Sequence, residues 1–283
     1  MSTHLLPTAL VGRYTAGMPQ LSSSGLSENW LLKECGHRHW LATAHRQGQS
    51  VPEFRDAQGR KVYAAFTLVH ISHAQLERVD EHDAFNIITQ CHPAGRTQTY
   101  SQHGVQWQGQ QVARVEMLSV FVLRTQAGNN RSIVRAVMAL PTNSVAPSEL
   151  AAAAEAFVQR GRARRAQAGT MQAEVHTSMF TPCPHNDFNG ADLLYFSSFQ
   201  SLVDRAEWAW MRSTDTASRP AALREREMVF YGNLNMGDTI HTGLHGEQLK
   251  HHSTICRGSD GAQIAEVFTR RQAALASTQA RVA

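Results

Sequence analysis

The chain has 283 residues, of which 42% are hydrophobic and 18% charged. That is long enough for two domains of roughly 100–150 residues and too apolar for a disordered protein. The net charge of +4, with a pI near 9.1, draws much of its excess from Arg160-Gly-Arg-Ala-Arg-Arg165, a run too short and too poor in aromatics for a nucleic-acid surface. No stretch approaches the ~18 apolar residues of a membrane span. The start, Met1-Ser-Thr-His-Leu-Leu-Pro7, lacks the charged and apolar regions of a secretion signal. Cys35, Cys91, Cys183 and Cys256 are scattered, with no Cys-x-x-Cys pair. These features predict a cytoplasmic protein without disulfides, membrane or nucleic-acid partners.

In chain order, Leu26, Trp30, Leu31 and Leu41 recur at helical spacing, with Gly25 or Ser27 as N-cap and Glu28 suited to the positive helix end. The turn Asp56-Ala-Gln-Gly59 leads into a β-rich run, Lys61 to Ile71. Further strands are expected at Ala84–Cys91, Gly95–Trp107, Val112–Arg124 and Ser132–Leu140, the last two joined as a hairpin by Ala127–Arg131. After a break at Pro141–Pro147, Ser148 caps an Ala-rich helix that carries the basic run. That helix reads as a solvated linker, or as a basic segment meeting an acidic partner. A strand at Met171–Phe180, a loop at Pro182–Gly190 and a second apolar helix follow. Strands at Glu225–Asn233, Thr239–Glu247, His251–Arg257 and Ala262–Thr269 complete the chain.

The halves repeat one plan. Gly25 to Trp40 and Gly190 to Trp208 each open on a small residue, run through an apolar helical stretch and close on Trp, and strands follow each. The two Trp residues are 168 positions apart, as are Tyr63 and Tyr231, both expected early in the next strand.

Particular motifs carry a family resemblance. Asn186-Asp-Phe-Asn-Gly190, then Leu193-Leu-Tyr-Phe196 and Arg205-Ala-Glu-Trp208, resembles the Asp-x-x-Gly-then-helix signature of hotdog-fold acyl-CoA thioesterases. Gly232-Asn-Leu-Asn-Met-Gly-Asp238 resembles a turn of the same superfamily. Gly17-Met-Pro-Gln-Leu21, Gly25-Leu-Ser-Glu-Asn-Trp-Leu-Leu-Lys-Glu34 and Gly36-His-Arg-His-Trp40 resemble the double-hotdog acyltransferase/decarboxylases of the leinamycin polyketide pathway and its relatives, over nearly the whole chain.

The resemblance implies an α+β double hotdog, with an N-terminal hotdog at 1–145, a helical linker at 146–170 and a C-terminal hotdog at 171–283. It implies an enzyme of secondary metabolism that moves a malonyl- or methylmalonyl-type acyl group from coenzyme A to the phosphopantetheine of an acyl carrier protein and releases CO2. No tightly bound cofactor is implied. The family's catalytic tyrosine is best matched by Tyr63, with Tyr100 and Tyr14 as substitutes. Asp187 is a second catalytic candidate, or a helix cap. The implied substrate-binding residues are Gly25, Leu26, Ser27, Glu28, Asn29, His92, Asn186, Asn189 and Gly190, with His185 as a polar neighbour. Exposed sheet edges suggest a homodimer. A thioesterase and a non-catalytic thioester-binding module are the rival expectations on the same fold.

The residues suit such chemistry. Decarboxylating a β-carboxy thioester produces an enolate, which backbone N–H groups at a helix N-terminus stabilise by roughly 3–4 kcal/mol per well-placed donor. Gly25-Leu-Ser27 and Asn189-Gly-Ala191 are small enough to admit a thioester. A tyrosine nucleophile needs a nearby cation, and strand alternation puts Lys61 on the face of Tyr63 and Arg60 on the other. The fifteen histidines show no zinc-ligand spacing, so no metal is expected. A Gly-x-Ser-x-Gly elbow and a Gly-rich phosphate loop are absent from the sequence.

Overall fold

The computed structural model describes residues 9–138, 148–167, 173–214 and 220–273. The first half runs β1 (Leu10–Thr15), a minimal hairpin of β2 (Leu21–Ser22) and β3 (Gly25–Leu26), and helix α1 (Glu28–Arg46). Then come β4 (Tyr63–Ser72), β5 (Ala84–Pro93), β6 (Gln98–Trp107), β7 (Gln110–Arg124) and β8 (Ile133–Arg135). Helix α2 (Ser148–Ala166) leads to β9 (Glu174–Phe180), one helical turn α3 (Pro184–Asp187) and helix α4 (Phe196–Thr214). The chain ends in β10 (Ala222–Phe230), β11 (Ile240–Glu247), β12 (Lys250–Arg257) and β13 (Gln263–Gln272). The expected break at Pro141–Pro147, the side chain of Ser148 and the strand start at Met171 lie outside the described residues.

All strands except β2 and β3 share one sheet, ordered β1-β5-β6-β7-β4-β10-β13-β12-β11-β9, with β8 added on β7. Within each half the order is first, third, fourth, fifth, second strand, so one topology occurs twice. The two second strands, β4 and β10, pair antiparallel at the centre, with Leu68 opposite Val229 and Ile71 opposite Arg226. The protein is a double hotdog.

The helices α1 and α4 each have 19 residues. Their first residues, Glu28 and Phe196, stand as far apart in sequence as Trp40 and Trp208, so the Trp repeat is structural. The Tyr repeat is not: Tyr63 opens β4, whereas Tyr231 follows the end of β10, because the second half joins helix to strand by a shorter connection. The second helix also begins later than Gly190 and continues past Trp208. Asn189 Oδ1 accepts the N–H groups of Ala191 (3.0 Å) and Leu193 (3.2 Å), which holds this stretch in a turn. Helix α1 starts where expected, capped by Ser27 Oγ on Trp30 N, and extends to His45 and Arg46 at its negative end.

The helices cover one face of the sheet and share one core. Leu31 and Leu32 of α1 and Phe199, Leu202 and Val203 of α4 pack with Val69, Met228 and Val267. Gly36 lets the Phe196 ring reach the α1 backbone, since a Cβ there would lie 2.7 Å from Phe196 Cε1. At the crossing, Asn29 Nδ2 donates to Ser197 O (3.0 Å) and Gln200 Oε1 (3.1 Å).

Helix α2 covers the opposite face and is not a solvated linker. Its Leu150, Ala154 and Phe157 pack on Tyr100, Leu118 and Val229. Arg160 and Arg164 both pair with the buried carboxylate of Glu227, and Arg165 donates to Phe230 O (2.7 Å). Alanines on the other faces dilute the stripe of Leu150, Ala154 and Phe157, so the sequence hides the covered side. Truncating Phe157 to Ala is expected to cost about 3 kcal/mol in urea denaturation; a helix exposed all round would lose less than about 0.5 kcal/mol.

Candidate active site

Among the cavities lined by both halves, one lies at the head of each long helix. The α4 cavity, about 480 Å³, is lined by Asn189 and Leu193–Phe196 before and at the start of α4, by Ala64–Thr67 of β4, and by Trp40 of α1. The α1 cavity, about 310 Å³, is lined by Ser22–Ser24 and Leu26–Asn29, by Leu76 and Leu223, and by Trp208 of α4. Each Trp of the repeated pair therefore walls the cavity at the head of the other helix. Both volumes fall within the roughly 300–1,000 Å³ of small-molecule sites.

The α4 cavity has an apolar floor of Phe66, Phe196, Phe199 and Phe230 and a rim of Arg131, Arg135, Arg165 and Arg257. Arg131 is neutralised by Asp238 (2.9 Å) and Arg257 by Asp260 (2.8 Å). Arg135 and Arg165 have no carboxylate partner among the described residues. Arg165 lies over the Tyr231 ring at 4.9 Å, and burial, together with the nearby Arg135 guanidinium, pushes its pKa down. Two like charges without a counter-charge make a site for an anion. No Asp, Glu, His or Cys is among the lining residues. Burial pushes the Tyr195 hydroxyl up to about 12, so it stays a proton donor. Asn130 donates through Nδ2 to Asp192 O (2.6 Å) and Leu234 O (2.8 Å), while its buried Oδ1 accepts nothing among the described residues.

The α1 cavity is built from ions. Arg226, fully buried in β10, lies 3.3 Å from Glu28, 2.8 Å from Asp204 and 3.0 Å from Glu207. Arg271 reaches Asp204 (2.7 Å) and Glu207 (2.6 Å), and His251 lies 3.0 Å from Glu207. Three carboxylates thus share two guanidiniums. Burial is the largest influence on Glu28 and raises its pKa to about 7. For Glu207 burial is outweighed by Arg226 and Arg271, which hold it well below the usual carboxylate range.

The residues singled out in the sequence divide between these places. Leu26, Ser27, Glu28 and Asn29 line the α1 cavity. Gly25, with φ of 97°, passes so close to Leu76 O that a Cβ would lie 2.2 Å from it. Asn189 lines the α4 cavity, but its Oδ1 and the Ala191 and Leu193 amides are already engaged with each other, so those amides are not free to hold an oxyanion. Gly190, His185 and Asn186 are exposed outside either lining. Asp187 is buried: Oδ2 accepts Cys183 N (2.7 Å) and its carbonyl accepts Tyr195 N (2.8 Å) and Ser198 Oγ (2.9 Å). It shapes the entry to α4, and it lines neither cavity. His92 donates to Pro93 O (2.5 Å) at the end of β5, outside both linings.

The three tyrosines differ. Tyr14 donates to Glu34 and its pKa is raised to about 12. Tyr100 donates to Glu116 (2.6 Å) beneath α2. Tyr63 is half-buried, its hydroxyl bound to no carboxylate among the described residues, with Lys61 Nζ 5.4 Å from its ring centre. Alternation places it on the strand face of Ala65 and Thr67, which line the α4 cavity. Sequence reading missed Arg135, Tyr195 and Arg226. The alternating charges of Arg224-Glu-Arg-Glu227 in a strand were the available signal for the last.

No family model matches the chain, and no curated protein does. Solved structures of the same fold do. A 12:0-ACP thioesterase from Umbellularia californica superposes with a TM-score of 0.66 at 9% identity, covering 95% of this chain and 99% of that one. An acyl-ACP thioesterase from Bacteroides thetaiotaomicron gives 0.62 at 10% identity, covering 93% and 97%. Full-length peroxisomal multifunctional enzyme type 2 from Drosophila melanogaster gives 0.52 at 8% identity, covering 94% of this chain and 48% of that one. The double-hotdog architecture, which this chain shares with proteins that act on acyl-ACP thioesters, is what these similarities establish.

Proposed function

We propose that the protein is an acyltransferase/decarboxylase that takes a malonyl- or methylmalonyl-type acyl group from coenzyme A and delivers the decarboxylated acyl group to the phosphopantetheine thiol of an acyl carrier protein, at the α4 cavity. The supporting observation is the composition of that cavity. Arg135 and Arg165 offer an unneutralised binding site for an anionic thioester, and no side chain among the lining residues can take a proton from water. Decarboxylation needs no such base, and transfer between thiols only exchanges one thiol proton for another; hydrolysis must take a proton from water.

In this reading the arginines anchor the anionic thioester and the phenylalanine floor keeps the reacting carbon out of water. The bond to the carboxylate carbon breaks, CO2 leaves, and the bond's electron pair passes to the thioester as an enolate. The enolate takes a proton at carbon from the Tyr195 hydroxyl, itself reprotonated from solvent. First-turn amides of α4 and the protonated Tyr195 hydroxyl face the developing oxyanion. Tyr63, outside the cavity lining but on the strand face of Ala65 and Thr67, gives up its hydroxyl proton as its oxygen bonds to the acyl carbon. Coenzyme A leaves as the thiol with that proton, and the carrier thiol then takes the acyl group as its own proton returns to the Tyr63 oxygen. The arginine rim also suits an acidic carrier protein. The thioesterase reading draws on the structural neighbours, but this cavity lacks the base it requires.

Intact-protein mass spectrometry after incubation with methylmalonyl-CoA and phosphopantetheinylated carrier is expected to show propionyl-carrier. Methylmalonyl on the carrier would mean transfer without decarboxylation, free acid independent of carrier would favour a thioesterase, and tight binding without turnover a binding module. Tyr63→Phe is expected to slow loading by on the order of 100-fold with an unchanged thermal midpoint; near-normal loading would remove Tyr63 from the mechanism. Replacing both Arg135 and Arg165 by Ala should raise KM for the carboxylated thioester roughly tenfold or more, with kcat less affected.

A further inference from the structure

The α1 cavity occupies the place in the first half that the α4 cavity occupies in the second, with opposite chemistry. The first residue of α4 is Phe196, whose ring forms part of a floor; the first residue of α1 is Glu28, whose carboxyl lines a cavity. Glu28 is 9% exposed, and its Oε1 accepts no hydrogen bond among the described residues, although Arg226 Nε lies 3.3 Å away. The Glu28 and Asn29 amides, in the first turn of the same helix, have no backbone acceptor among the described residues. Leu26, Leu76, Leu223, Trp208 and Met211 supply apolar walls. The cavity therefore combines a carboxyl able to take a proton, helix amides able to hold an oxyanion and apolar surface for an acyl chain.

We infer that the α1 cavity is a second, hydrolytic site, in which Glu28 is the general base for water attack on acyl thioesters whose acyl group carries no charge. The inference rests on the reading that the chain handles acyl thioesters. Water gives a proton to the Glu28 carboxylate as its oxygen bonds to the thioester carbon, and the carbonyl oxygen takes the negative charge against the α1 amides. The carbon–sulfur bond then breaks, and the proton held by Glu28 passes to the departing thiolate, leaving a carboxylic acid and a free thiol.

Selectivity follows from the surrounding charges. Asp204 and Glu207 of α4 face Glu28 together with Arg226 of β10 and Arg271 of β13, and His251 of β12 adjoins Glu207. Glu77, at the cavity edge, is paired with Arg224 (2.6 Å). The guanidiniums are already matched by Asp204 and Glu207, so a malonyl-type carboxylate would meet uncompensated negative charge, whereas a saturated acyl chain would not. The surplus carboxyl, Glu28, keeps its proton up to about pH 7, and activity should appear as that proton leaves.

Thiol release from octanoyl-CoA without carrier protein tests the inference. The wild type is expected to release thiol faster from octanoyl-CoA than from malonyl-CoA, with kcat rising through about pH 7 to a plateau. Glu28→Gln is expected to lower kcat by about 100-fold or more, with the thermal midpoint unchanged below about pH 7, where Gln is the isostere of the protonated side chain. Thiol release at the uncatalysed rate, a flat pH profile, or E28Q turnover within about threefold of wild type would overturn it. Should E28Q fail to fold, the wild-type pH profile and substrate preference decide. Carrier loading in the same preparation reads the α4 cavity: loading without hydrolysis sinks this inference alone, and hydrolysis without loading sinks the transferase proposal alone.

Discussion

A guanidinium with no access to water sits at the seam of this protein. Arg226 lies on β10, opposite Ile71 of β4, where the two hotdog sheets become one. It reaches Glu28 at the head of α1 and Asp204 and Glu207 along α4. A buried charge is tolerable only with partners, and removing one partner from such a group is strongly destabilising even where the whole cluster adds little net stability. Its consequence is therefore positional. Both helices must present carboxylates to one point on the central strand pair, which fixes where each helix begins relative to the other half. With two guanidiniums, Arg226 and Arg271, among three carboxylates, one carboxyl is left over. Burial assigns the proton to Glu28, the member at the head of α1.

Duplication supplies two equivalent places and lets them diverge. The repeated helix heads, the repeated Trp and the common strand order give each cavity the same frame, while the residue that opens each helix, carboxyl in one and phenyl in the other, separates their chemistry. A base beside an oxyanion site favours hydrolysis, and a site with cations and no base favours chemistry that proceeds without activating water. The α4 cavity has the second composition throughout its lining. Its acidic neighbours, Asp238 and Asp260, are turned to Arg131 and Arg257 at the rim.

The architecture was legible in the sequence because apolar periodicity is a local signal. Ser27 capping α1 and the β-rich run into β4 fall within a residue or two of expectation, and β7 and β8 pair as the expected hairpin, although β8 ends at Arg135 rather than Leu140. Short β1, which carries Gly12 and Arg13 at its centre and no apolar run, was not legible. Neither was the late start of α4, because Asn189 folds its own backbone into a turn that mimics a helix entry. The sites were legible only in part. Leu26 to Asn29 and Asn189 were identifiable from motifs, but they line different cavities. Which cavity a residue joins depends on pairing across the seam, and no local pattern encodes that. Asp187 shows the same limit: its position matches a signature, while its carboxylate closes the turn at Cys183.

Helix α2 connects the fold to the proposed chemistry. Its arginines are not equivalent, because helical spacing sends them in different directions. Arg160 and Arg164, four residues apart, reach the same buried Glu227 and fasten the helix across the central strands. Arg165, one residue further on and turned by about 100°, misses that carboxylate and meets the Tyr231 ring and the α4 cavity instead. The pair on Glu227 thus determines where Arg165 stands, and Arg165 with Arg135 determines the charge of the rim. A helix that reads as a connector from its alanines therefore sets, through its register, half of the charge that the α4 cavity presents.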